Sequence, residues 1–112
     1  MKLTEIPNFG AIVVDIWPNG ELVSIILSRH DTRVFAYFNQ CPHAGWPLEN
    51  FNGAFIFTED KHLVCAAHGA VFNVTNGHCL GGPGRISPLR PYPIIVKGNE
   101  ITLGNESYGK VN

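Results

Sequence analysis

Twelve glycines and eight prolines punctuate this 112-residue chain, and between them apolar residues nowhere recur at helical spacing over a useful length. What remains are short runs rich in β-branched and aromatic residues, each closed by a turn signal. Residues 11–17 and 21–28 flank Pro18-Asn19-Gly20 and read as a hairpin. Residues 34–39 follow as a third strand, with Phe35, Tyr37 and Asn39 on one face and Val34, Ala36 and Phe38 on the other. Residues 54–57 and 62–65 are predicted strands joined by the polar turn Thr58-Glu59-Asp60-Lys61. Residues 70–74 and 78–80 flank Thr75-Asn76-Gly77, where Asn-Gly is a strong hairpin signal. Tyr92, Ile94 and Val96 alternate before Lys97-Gly98-Asn99 turns into residues 100–103, and the polar tail 104–112 is expected to fray. The predicted fold class is all-β, and residues 1–112 are expected to form a single domain without repeat or linker.

Charge and length remove several functions from consideration. The net charge is −1 and no basic run occurs, so nucleic acid is not an expected partner. Hydrophobic residues make up 45% of the chain against 15% charged, a balance that disordered segments do not have. Apolar stretches such as residues 11–14 and 22–27, the latter broken by Ser24, are far too short to span a bilayer. Met1-Lys2-Leu3-Thr4-Glu5 lacks the apolar core of a secretion signal. A cytoplasmic monomer with no membrane partner is expected. In that compartment three cysteines, an odd number, argue against a disulfide framework, and the thiols need another explanation.

Two loops each bring one cysteine and one histidine: Cys41-Pro42-His43 and Cys65-Ala66-Ala67-His68. Residues 44–64 separate them and contain a predicted hairpin, so both loops can emerge from the same end of a sheet. Two sulfur and two nitrogen ligands then converge. Such a set binds either zinc or an iron–sulfur cluster. Zinc fingers usually pair Cys with Cys and His with His, whereas here each motif mixes the two types. A two-iron cluster gives the mixture a reason, because each loop can give its Cys to one iron and its His to the other. A zinc site and a Cys41–Cys65 disulfide are the weaker readings.

On these residues the chain resembles the Rieske family, whose pattern is C-x-H followed by C-x-x-H. Cys41-Pro42-His43-Ala44-Gly45-Trp46-Pro47-Leu48 is similar to the family's first cluster loop, and Cys65-Ala66-Ala67-His68-Gly69-Ala70-Val71-Phe72 to its second. Gly81-Gly82-Pro83-Gly84 looks like the proline-containing third loop that covers the cluster. The interval between the loops is longer than in most ferredoxin-like members, which makes residues 49–61 a distinctive surface. The resemblance implies stacked antiparallel sheets with a cluster-binding subdomain at about residues 40–84. It also implies a [2Fe–2S] cluster ligated by Cys41, His43, Cys65 and His68.

The same resemblance bears on redox behaviour. High-potential members carry a hydroxyl-bearing Ser and Tyr where this chain has Ala70 and Phe72, and a loop-tying disulfide where it has Trp46 and Ala67. The sulfurs here are expected to rely on backbone N–H groups, including those near Gly45 and Gly69. A potential toward the low end of the Rieske range follows, with proton coupling of the imidazoles only at alkaline pH. Trp46 and Phe72 are expected as apolar shields. His30, in a polar turn, and His62, at a strand start, have no motif support, and His78 is expected at the surface. Cys79 is expected as a buried structural thiol rather than a further ligand or redox sensor. Glu49, Glu59 and Asp60 read as scattered surface carboxylates more readily than as an acidic docking edge.

The function so implied is one-electron carriage, as in the ferredoxin components of multicomponent oxygenase systems. A flavin- or NAD(P)H-dependent reductase would be the donor, and an oxygenase or other oxidoreductase the acceptor. The chain has no G-x-G-x-x-G order for a nicotinamide and no room for an oxygen-activating domain. It is therefore read as an electron-transfer component rather than a stand-alone catalyst, and no residue is assigned a catalytic role. A redox subunit or sensor controlling a partner enzyme is the alternative, and a cluster-free or zinc-bound structural module a third reading.

Overall fold

The computed structural model describes residues 1–42, 47–49, 53–66, 69–82 and 87–104. Among the described residues all nine strands are antiparallel, and the helical content is one 3₁₀ turn, Leu3–Glu5. The chain divides into two compact units, Met1–Phe38 with Pro91–Asn112, and Asn39–Arg90. No helix among the described residues is long and apolar enough to cross a membrane.

The first unit is built on β1 (Ala11–Ile16), β2 (Val23–His30) and β3 (Arg33–Phe38), hydrogen-bonded in that order. Ile25, Ile26 and Leu27 in β2 are completely buried, so the middle strand is covered on both faces. Burying an aliphatic side chain of this size contributes about 1.5–3 kcal/mol. One face of the sheet closes a core of Leu3, Ile6, Ile25, Leu27, Ala36, Tyr92 and Ile101. Its outer members come from the N-terminal segment and from the hairpin β8 (Ile94–Lys97) and β9 (Glu100–Leu103). The β8–β9 hairpin turns at Gly98, whose φ of 59° is one that glycine adopts at little cost. Met1 and Leu3 pair with the backbone of β9 and its turn, as Ile101 N–H donates to the Met1 carbonyl and Leu3 N–H to that of Asn99.

The second unit is a four-stranded meander of β4 (Ile56–Phe57), β5 (Leu63–Val64), β6 (Val71–Phe72) and β7 (Cys79–Gly81). Its strands are short because side chains in the turns take over the backbone's hydrogen bonds. Thr58 N–H donates to the His62 carbonyl, and the Thr58 hydroxyl oxygen accepts from His62 N–H. Asn73 Oδ1 accepts from both the N–H and the hydroxyl of Thr75, and Asn76 Oδ1 accepts from His78 N–H. These Asx and ST turns end the ladders early. Strands expected over 70–74 and 78–80 therefore shrink or shift to Val71–Phe72 and Cys79–Gly81. The all-β expectation holds, and the hairpins fall where the turn signals put them.

Candidate metal centre

Cys41 follows directly on the segment that leaves β3, and Cys65 follows directly on β5. Both lie in the second unit, neither is in a disulfide, and both have zero solvent exposure. The second cysteine's loop is closed by its own backbone: Cys65 N–H donates to the Ala70 carbonyl at 2.7 Å, and Gly69 N–H returns to the Cys65 carbonyl at 2.8 Å. That tight return requires a positive φ of 75° at Gly69, the reason for a glycine there. The Gly69 N–H is thereby committed to a carbonyl, while the neighbouring N–H groups of residues 67 and 68 lie outside the described residues.

The first loop is tied down from both sides. The Asn39 side chain, buried two positions before Cys41, accepts from Leu48 N–H at 3.0 Å and donates from Nδ2 to Glu49 Oε1 at 2.8 Å. Leu48 is itself fully buried, and its carbonyl accepts from Ala66 N–H at 3.2 Å. A backbone hydrogen bond therefore links the first loop to the residue immediately after Cys65. The third loop starts against the second. Gly82 has φ 126°, and a Cβ on it would stand 2.6 Å from the Ala70 Cα, a separation that no side chain tolerates. At its far end Leu89 N–H donates to the Gly77 carbonyl at 2.8 Å.

Of the four expected ligands, Cys41 and Cys65 are thus brought into one unit by loops that are hydrogen-bonded together. His43 and His68 lie outside the described residues, as do Ala44, Gly45, Trp46, Ala67, Pro83 and Gly84. Among the described residues no three His, Cys, Asp or Glu side chains group as a metal site. Two buried thiols outside any disulfide, on hydrogen-bonded loops, suit the sulfur half of a Cys2His2 cluster site. Thiolates there are shielded from water and from oxidation.

The remaining candidates sort differently. Phe72 is fully buried, as a shield should be, and His78 is exposed. Cys79 is only half-buried in β7, with its Sγ 3.4 Å from the Gly81 carbonyl oxygen, which corrects the expectation of a buried thiol. The physical reason is an irregularity between β6 and β7, where Val71 pairs with Gly81 and Phe72 with Cys79, leaving Leu80 unpaired and exposed. Glu59 and Asp60 are exposed, but Glu49 is half-buried and engaged by Asn39, so it is not a scattered surface carboxylate. From the sequence alone Asn39 reads only as the last residue of the third strand. The available signal was a carboxamide on a buried face two residues before a ligand motif, since a buried amide must find partners.

A family model described as the Rieske [2Fe-2S] domain matches residues 10–93. The chain is 31% identical over 97 residues to the ferredoxin component of the alkene monooxygenase system of Xanthobacter autotrophicus, covering 87% of this chain and 74% of that protein. It is similar in structure to the ferredoxin of carbazole 1,9a-dioxygenase from Nocardioides aromaticivorans, with a TM-score of 0.70 at 20% identity, over 93% of this chain and 92% of that one. It is also similar to a chain in the complex of reduced oxygenase and oxidised ferredoxin in carbazole 1,9a-dioxygenase. There the TM-score is 0.71 at 20% identity, over 92% of this chain and 87% of that one. These two structural likenesses are likenesses of fold.

Proposed function

The chain belongs to the Rieske [2Fe-2S] family, and we propose that it carries single electrons on a cluster held by Cys41 and Cys65 at one iron and by His43 and His68 at the other. The observation that carries this reading is the pair of fully buried cysteines, outside any disulfide, on two loops joined through Leu48 and Ala66. When bound, the [2Fe–2S] group supplies reversible one-electron chemistry, at about −150 to +300 mV for imidazole-ligated centres against about −400 mV for plant-type ferredoxins. The chain's own residues supply the rest. Cys65 is oriented by its N–H bond to Ala70, the sulfur side is kept dry, and Gly82 lets its own backbone lie directly against Ala70 of the second loop.

The acceptor in this reading is an oxygenase, because the relatives include the ferredoxin component of an alkene monooxygenase system and a ferredoxin–oxygenase complex. A flavin- or NAD(P)H-dependent reductase is the donor. The chain works as a cytoplasmic monomer, with residues 1–112 acting as one functional domain. Anaerobically purified protein is expected to contain two irons and two acid-labile sulfides per chain, and to give an electron-spin signal on one-electron reduction. Cys41→Ser and Cys65→Ser should each lose most of that iron. A single zinc per chain, with no visible absorption, would overturn the assignment.

A further inference from the structure

We propose that Asn39 is a positioning residue for the metal centre: its one carboxamide fixes the first cysteine loop and, through Leu48, registers that loop against the second. The inference rests on the proposed cluster site. The chain of contacts is short and continuous. Asn39 precedes Cys41 by two residues, and its Oδ1 takes the Leu48 N–H at 3.0 Å. The Leu48 carbonyl takes the N–H of Ala66, the residue after Cys65, at 3.2 Å. The start of one loop, its return and the neck of the other therefore meet at one residue, Leu48. Asn39 is 5% exposed and Leu48 fully buried, so water cannot substitute for these bonds at little cost.

Glu49 holds the carboxamide in the orientation this requires. An amide has one acceptor oxygen and one donor nitrogen, and either end can face Leu48. The Glu49 carboxylate accepts only, so it selects Nδ2 at 2.8 Å and leaves Oδ1 for the Leu48 N–H. A charged acceptor makes this the stronger of the two side-chain bonds. Reversing the polarity of the pair should preserve the clamp. In Asn39→Asp with Glu49→Gln, one Asp oxygen accepts from Leu48 N–H while the other accepts from the Gln amide, and the net charge is unchanged.

The test follows the amide protons of Leu48 and Ala66 by hydrogen exchange, and the midpoint potential and electron-spin line shape of the reduced protein. Asn39→Ala should speed exchange at both amides by about tenfold or more, the equivalent of one lost buried hydrogen bond. It should leave the Ile26 amide of the other unit unchanged, broaden the spin signal and shift the midpoint. Asn39→Asp sets two carboxylates against each other and should shift the midpoint as well. The double variant Asn39→Asp/Glu49→Gln should return exchange, line shape and midpoint to those of the native protein. Native exchange and line shape in Asn39→Ala would overturn the inference, as would a double variant no better than Asn39→Asp. If Asn39→Ala does not fold, the Asp variant and its rescue decide alone. If the native protein lacks the iron–sulfur signal, the cluster reading fails while exchange at Leu48 and Ala66 still tests the clamp.

Discussion

His30 is the histidine whose setting the local sequence conceals. The sequence alone suggests a polar turn, but His30 is the last residue of β2 and pairs with Arg33 across the turn. Its ring lies 5.1 Å from that of Phe9 and 5.7 Å from that of Phe35, and Arg33 sits 4.9 Å above the Phe35 ring. Nε2 is buried with no hydrogen-bond partner among the described residues. Burial first, and then the Arg33 charge, hold the imidazole below its usual value of 6.5, against a smaller opposing pull from Asp31. The unfolded chain therefore takes up this proton more readily than the folded one. His30 costs no stability above pH 6.5, and stability is lost as pH falls from 6.5 toward the lowered folded value. A ring-proton titration by NMR should give a His30 midpoint below 6.5. His30→Phe should make the urea midpoint fall less between about pH 7 and 5 than it does in the native protein. The cysteine motifs were legible at this scale because their meaning is local. The environment of His30 was not, since it depends on Phe9, twenty-one positions earlier in the chain.

Among the elements, the turn chemistry was readable and the strand lengths were not. Asn76-Gly77 and Gly98-Asn99 turn as their sequences require, with positive φ at both glycines. Strand β2 runs on to His30 rather than stopping at Ser28, because Arg29 is held at both ends. Its N–H donates to the Gly10 carbonyl, and its guanidinium reaches the carbonyls of Ile6 and Asp31. Such anchors are tertiary and leave no mark on propensity. Two glycines at element ends separate space from backbone strain. Gly20, beyond β1, has φ 82° with nothing within 4 Å of an added Cβ, whereas Gly82, beyond β7, meets the Ala70 Cα at 2.6 Å. Gly20→Ala should cost about 1 kcal/mol of conformational strain. Gly82→Ala should cost about 2–4 kcal/mol, from strain and overpacking together, and should loosen the metal. Urea denaturation with iron analysis of the two variants checks the difference.

For the whole molecule, the family pattern was carried by residues 40–84, and the matching region extends on both sides into strands whose sequences are unremarkable alone. Ala70 and Phe72 are both fully buried and carry no hydroxyl, so neither side chain can donate a hydrogen bond to stabilise added negative charge. A redox titration should place the midpoint near the lower end of the range from about −150 to +300 mV, with little pH dependence near neutrality. A strongly positive midpoint would contradict this account.

The chain leaves the first unit after Phe38 and re-enters it at Pro91. Tyr37 and Pro91 face each other as a bridge pair, and Tyr92 N–H donates to the Ala36 carbonyl. The departure and return points of the intervening stretch are therefore stitched side by side. Everything between them is a cassette on a two-stranded stem: joining the stem with a short glycine link would keep all three ladders of the first unit, and exchanging the insert would graft another metal loop onto the same frame.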